Sequence, residues 1–111
     1  MNKSTALPYS IIALDLDGTL TNSEKNITPR TFDALMKAQR DGVRLVLASG
    51  RPTFGIAALA NQLQLADYGG YVLSYNGGRI IDWYEKTMIF SQVVDQKLVP
   101  ILYDFAEKAQ L

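Results

Sequence analysis

The chain has 111 residues, 48% of them hydrophobic and 20% charged, which suits one folded domain with a modest core. Lys plus Arg equals Asp plus Glu at 11 each, so no basic field exists to draw in nucleic acid or an anionic membrane. Cysteine and histidine are both absent, which excludes disulfides, thiol nucleophiles, Cys/His zinc sites and any triad with a histidine base.

In chain order, the N-terminus Met-Asn-Lys-Ser-Thr-Ala-Leu-Pro lacks the long apolar core of a signal peptide. No later run approaches the ~18 apolar residues of a membrane span, so a cytoplasmic setting is the expectation. Residues 10–16 read as a first strand. Its run is apolar on both faces, which predicts a buried, central position in a parallel sheet rather than an edge. Residues 18–27 are polar and turn-rich, a loop or small flap. Thr28 and Pro29 have the form of an N-cap and first helical residue. Phe32, Leu35, Met36 and Gln39 follow at helical spacing, and Gly42 sits where a helix-ending glycine belongs.

Residues 43–48 predict a second strand. Pro52 then opens a second helix with Ile56, Leu59, Ala60 and Leu63 on its apolar side, ended by Gly69-Gly70. Residues 71–74 predict a third strand and Asn76-Gly77-Gly78 a turn. Residues 79–82 and 87–91 predict a hairpin joined around residues 83–86. From Asp95 the period is helical again through Leu98, Ile101, Leu102, Phe105 and Ala109. The order is βαβαβ, then a hairpin and a helix, which predicts a right-handed parallel α/β sheet.

In such sheets ligands sit beyond the carboxyl ends of the strands. Three ends are readable: Asp15-Leu16-Asp17-Gly18, Ser49-Gly50-Arg51 and Ser74-Tyr75-Asn76-Gly77. Residues two apart on a strand share a side, so Asp15 and Asp17 lie together, opposite Leu14 and Leu16. Like charges so placed are costly unless something binds between or beside them, and a divalent cation with a phosphoryl group would justify them. Asp15, held on the strand, suits a carboxylate nucleophile. Asp17 suits a group that protonates a leaving alkoxide and later activates water. Magnesium would take an Asp15 carboxylate oxygen and the Asp17 backbone carbonyl, with waters filling most of its octahedron. The Ser49 hydroxyl and nearby amides before a helix start form an anion-binding corner, which Gly50 lets backbone approach closely. Taken singly, each motif has an ordinary explanation: a turn, a helix start, a surface or cap charge at Arg51, a hairpin at Asn76-Gly77. Tyr75, Trp83 and Tyr84 read as packing groups. Co-occurrence at successive strand ends shifts the balance toward chemistry.

Asp15-Leu16-Asp17-Gly18-Thr19-Leu20 resembles the first signature of the haloacid dehalogenase-like hydrolases. The continuation through Thr31, Ala48-Ser49-Gly50-Arg51-Pro52 and Tyr75-Asn76-Gly77-Gly78 are similar to the Cof-type branch. The resemblance covers roughly residues 9–110. It implies a Rossmann-like parallel core with a hairpin and the first helix of a cap, over residues 1–92 and 93–111. It further implies a Mg2+-dependent phosphatase acting on a small phosphorylated metabolite, such as a sugar phosphate, through an aspartyl-phosphate. Asp15 would be nucleophile and metal ligand, and Asp17 acid/base and metal ligand. Ser49 and Gly50 would bind phosphate, with Arg51 and Asn76 lining the site.

The family also uses a later lysine or arginine and a later acidic pair. Here Lys3, Lys25, Lys37, Lys86, Lys97 and Lys108 include none in a later core strand, and after residue 91 only Asp95, Asp104 and Glu107 are acidic. The expectation is therefore a truncated chain, inactive by itself, able to self-associate through the surface that truncation exposes. A non-catalytic interaction fragment is the alternative. A phospho-acceptor signalling domain would need an aspartate at the third strand end, where Ser74-Tyr75-Asn76 stands.

Overall fold

The computed structural model describes residues 8–111. Strands β1 (Ile11–Asp15), β2 (Arg44–Ala48) and β3 (Tyr71–Ser74) run parallel. β4 (Arg79–Asp82) and β5 (Thr87–Ser91) extend the sheet antiparallel, in the spatial order β1-β2-β3-β4-β5. The α/β class and the hairpin thus match the pattern of apolar runs and turns.

Side-chain alternation decides the layers. Leu45, Leu47 and Val72 are wholly buried on one face. They join Leu35 and Met36 of helix α1 (Pro29–Arg40) and the segment carrying Ile56, Ala60, Leu63 and Leu65 in one core. Each such fully buried aliphatic side chain contributes about 1.5–3 kcal/mol. On the other face Ile11, Ala13 and Asp15 are exposed, and Val46 and Ala48 only partly covered.

α1 begins as its sequence suggests. The Thr28 hydroxyl accepts from Thr31 N at 3.3 Å, and Pro29 occupies the first turn, where its missing N–H costs nothing. Gly42, at φ +97°, adopts the left-handed turn past the helix end.

Two expectations need correction. Among the described residues β1 is an outer strand, paired only with β2. Its apolar run reports a demand for burial on two faces, but does not say which segments meet that demand. The second helix does not start at Pro52 or run unbroken. A 3₁₀ turn, Thr53–Gly55, precedes α2 (Ala57–Gln62), and α3 (Leu65–Tyr68) follows after Gln64 takes a left-handed conformation. Gln39 explains the break: its Nε2 donates to the Leu63 carbonyl at 2.7 Å, satisfying a group that a continuing helix would have used. At Gly70 a Cβ would lie 2.5 Å from Leu65 Cγ and 2.7 Å from the Leu45 carbonyl, so α3 and β2 close to a distance only glycine permits.

The hairpin is tied back by Trp83, whose Nε1 donates to Asn61 Oδ1 at 2.9 Å. After β5 a 3₁₀ turn, Gln96–Leu98, leads into α4 (Val99–Lys108). Among the described residues α4 packs mainly on that turn, and Ile101, Leu102 and Phe105 stay exposed. No helix of the described residues is long and apolar enough to cross a membrane.

Candidate active site

The turn after β1 is fixed by its own backbone. Leu20 N donates to the Asp15 carbonyl at 3.0 Å, and Thr19 N and Thr21 N both donate to the Leu16 carbonyl. The buried Thr21 hydroxyl donates to that carbonyl as well, at 3.1 Å. Leu16 is fully buried while Asp15 and Asp17 are exposed, as strand alternation requires.

The ends of β2 and β3 are stitched together. Ser49 N donates to the Leu73 carbonyl, Asn76 N to the Ser49 carbonyl and Tyr75 N to the Arg51 carbonyl, each at 3.0 Å. The Ser49 hydroxyl oxygen accepts from Arg51 N at 3.0 Å, leaving its proton for another acceptor. Thr53 Oγ1 and Ser74 Oγ share a hydrogen bond of 2.7 Å beneath. A Cβ on Gly50 would stand 3.0 Å from Asn76 Oδ1, so the Asn76 side chain packs directly over Gly50.

These contacts frame a cleft of about 260 Å³ lined by Asp15, Ser49, Gly50 and Asn76, with Ala48 and Leu73 on its floor. Four of the six predicted site residues therefore share one hollow. Asp17 and Arg51 stand beside it, joined to each other. Arg51 Nε donates to Asp17 Oδ2 at 3.2 Å and Nη2 donates to Asp17 Oδ1, while Nη1 donates to the Gly55 carbonyl at 3.0 Å. The Arg51 hydrogen bonds, reinforced by its charge, hold the Asp17 carboxyl below the usual carboxylate range despite some desolvation. Arg51 is thus no free surface charge. Its partner, 34 positions away, leaves no local mark in the sequence. The helix start expected at Pro52, just after Ser49, is also displaced, since α2 begins only at Ala57. The anion corner consists of the Ser49 hydroxyl and backbone.

The donors fit a hard, oxygen-loving cation in part. Among the described residues, turn hydrogen bonds go to the carbonyls of Asp15 and Leu16 and none to that of Asp17, and the Asp15 carboxylate forms no ion pair. Two protein oxygens suit magnesium, which keeps several waters. Among the described residues no cluster of three acidic, histidine or cysteine side chains adds to them.

The turn after β1 and the loop after β2 thus meet in one cleft at the carboxyl ends of the parallel strands. The sequence profile of the haloacid dehalogenase-like hydrolases matches residues 12–111, and the chain belongs to that family. A haloacid dehalogenase-like hydrolase from Bacteroides thetaiotaomicron superposes with a TM-score of 0.85 at 52% identity, over 93% of this chain and 39% of that one. The 5-amino-6-(5-phospho-D-ribitylamino)uracil phosphatase YwtE of Bacillus subtilis (strain 168) is 32% identical over 85% of this chain and 31% of its own. The pyridoxal phosphate phosphatase YbhA of Escherichia coli (strain K12) is 33% identical over 71% of this chain and 28% of its own. The chain thus spans under a third of the length of these two curated relatives.

Proposed function

We propose that these residues carry the nucleophile side of a magnesium-dependent phosphatase site for a small phosphorylated metabolite, such as a sugar phosphate. The observation that carries this reading is the cleft that brings Asp15, Ser49, Gly50 and Asn76 together. The phosphate esters in the names of the YwtE and YbhA relatives support the substrate class. Residues 1–92 would be core and 93–111 the opening of a cap; the isolation of α4 supports that division.

In the first step an Asp15 carboxylate oxygen attacks phosphorus as the ester P–O bond breaks, and the leaving alkoxide takes a proton from Asp17. In the second, water attacks the phosphorus and gives a proton to the Asp17 carboxylate, and the bond to Asp15 breaks. The Ser49 hydroxyl and the Gly50 N–H hold the phosphoryl oxygens throughout. Magnesium, held by the Asp15 carboxylate and the Asp17 carbonyl, would offset charge on those oxygens. The Arg51 pair keeps Asp17 ionised, the form the second step uses; the first step requires Arg51 to loosen its hold.

Beryllium fluoride, a phosphoryl mimic that bonds to carboxylates, tests the nucleophile. With magnesium present, the chain is expected to give a bound fluorine NMR signal that Asp15→Asn abolishes. A signal that survives the substitution, or none in the unmodified chain, overturns the assignment. Turnover by these residues alone is expected to be low, because two protein oxygens hold the metal loosely; robust Asp15-dependent hydrolysis of p-nitrophenyl phosphate would contradict that.

The exposed Met88, Ile89, Phe90, Ile101, Leu102 and Phe105 favour a second reading, an interaction fragment that self-associates. A monomeric elution volume that does not change with concentration would count against it.

A further inference from the structure

β4 runs antiparallel to β3, so it begins where β3 ends, and β5 finishes at the same edge. A second cavity, of about 420 Å³, opens there among Tyr75, Gly78, Arg79, Gln92, Val93 and Val94. Asn76 and Gly77, which line the Asp15 cleft, lie between Tyr75 and Gly78 in the chain. The two hollows therefore share one wall.

Arg79 is the group in this cavity that its surroundings leave unsatisfied. Its guanidinium centre lies 5.3 Å from the centroid of the Tyr75 ring, a cation–π contact that orients the fork. Its Nε is buried and has no hydrogen-bond partner among the described residues. The ion pairs of the described residues are Lys37–Asp41, Arg51–Asp17 and Lys108–Asp104, so no carboxylate neutralises Arg79. Leaving a buried donor unpaired is costly, and a guanidinium fork beside a cavity suits a carboxylate or phosphate. Gln92 adds an amide to this wall, and Val93 and Val94 offer apolar contact to a carbon skeleton.

We infer that this cavity is a subsite for a second anionic group of the substrate, with Arg79 its specificity-determining residue. The inference rests on the phosphatase reading above and narrows it. β2, whose last residue directly precedes Ser49, and β4, which carries Arg79, are two strand spacings apart, about 10 Å. The substrate class is a phosphorylated metabolite whose second phosphate or carboxylate lies about that far from the phosphoryl group removed.

The test is an NMR titration of the 111-residue chain with glucose 6-phosphate, glucose 1,6-bisphosphate and 6-phosphogluconate, all with magnesium. The amides of Ser49 and Asn76 report the phosphoryl cleft, and the Arg79 Nε–H reports the subsite. At least one doubly anionic ligand is expected to bind ~10-fold tighter than glucose 6-phosphate, as one added charge-assisted hydrogen bond implies. That ligand is expected to move the Arg79 signal, and Arg79→Gln to remove the difference in affinity. Equal affinities, or an unmoved Arg79 signal, overturn the inference. The phosphatase reading survives that result as long as Ser49 and Asn76 still respond to glucose 6-phosphate. A response at Arg79 with none at Ser49 and Asn76 counts against the phosphatase reading, and with it the subsite's role. Absence of any response overturns both. Because the Arg79 signal is read in the unmodified chain, the test does not depend on the variant folding.

Discussion

Arg51 is the residue through which the three strand-end loops hold one another. Its guanidinium grips Asp17 and the Gly55 carbonyl, its N–H donates to Ser49, and its carbonyl accepts from Tyr75. Asp17 has a folded pKa below its unfolded value. The pair's contribution to stability is therefore complete above the ordinary aspartate value of about 3.9 and is lost as pH falls through the folded pKa. In metal-free buffer, Arg51→Ala is expected to raise the Asp17 pKa toward the ordinary value, read from its carboxyl carbon shift; an unchanged titration would contradict the pairing. Gly50 makes a different demand. A methyl group there meets Asn76 Oδ1 at 3.0 Å, and the exposed Asn76 can swing away. Gly50→Ala is expected to weaken phosphate binding while changing unfolding free energy by under about 1 kcal/mol, measured by phosphate titration and urea melts.

At the scale of elements, α1, β3 and the hairpin were legible because their signals are local. Thr28-Pro29 cap a helix, residues 71–74 are an apolar run between glycines, and residues 79–82 and 87–91 flank a short turn. The divided second helix was not legible. Ile56, Leu59, Ala60 and Leu63 keep helical spacing, but the division depends on Gln39 reaching Leu63 from another helix and on Leu65 packing over Gly70. Gly70 tests that account. Gly70→Ala places a carbon 2.7 Å from the Leu45 carbonyl, where backbone has no room to yield. It is expected to destabilise the fold by about 1–3 kcal/mol, and a neutral urea melt would contradict the packing described.

The whole molecule is elongated, 62 × 31 × 22 Å, with a radius of gyration of 17.4 Å; a compact chain of this length would have about 13 Å. The excess arises because α4 joins no part of the core. Its amides are expected to exchange with solvent orders of magnitude faster than those of β2. Hydrogen exchange that protects both alike would show that α4 is held by contacts such as self-association. Phe105→Asp should leave the unfolding free energy of the core, measured by urea melts, unchanged to within about 0.5 kcal/mol.

The sequence by itself determined the α/β class, the order of the strand ends and which polar residues stand on them. Period-two alternation, helix caps and glycine turns act over a few residues and need no distant partner. Through the Asp15–Leu20 motif it also pointed to the family. Only the tertiary structure decided what those residues touch. Asp17 pairs with Arg51 across 34 positions, Gly50 packs on Asn76, and Arg79 turns over Tyr75 beside a second cavity. It also decided that β1 is an outer strand of the described sheet. Such facts depend on how segments far apart in the chain meet, and hydrophobic pattern records only that a face seeks cover, not what covers it.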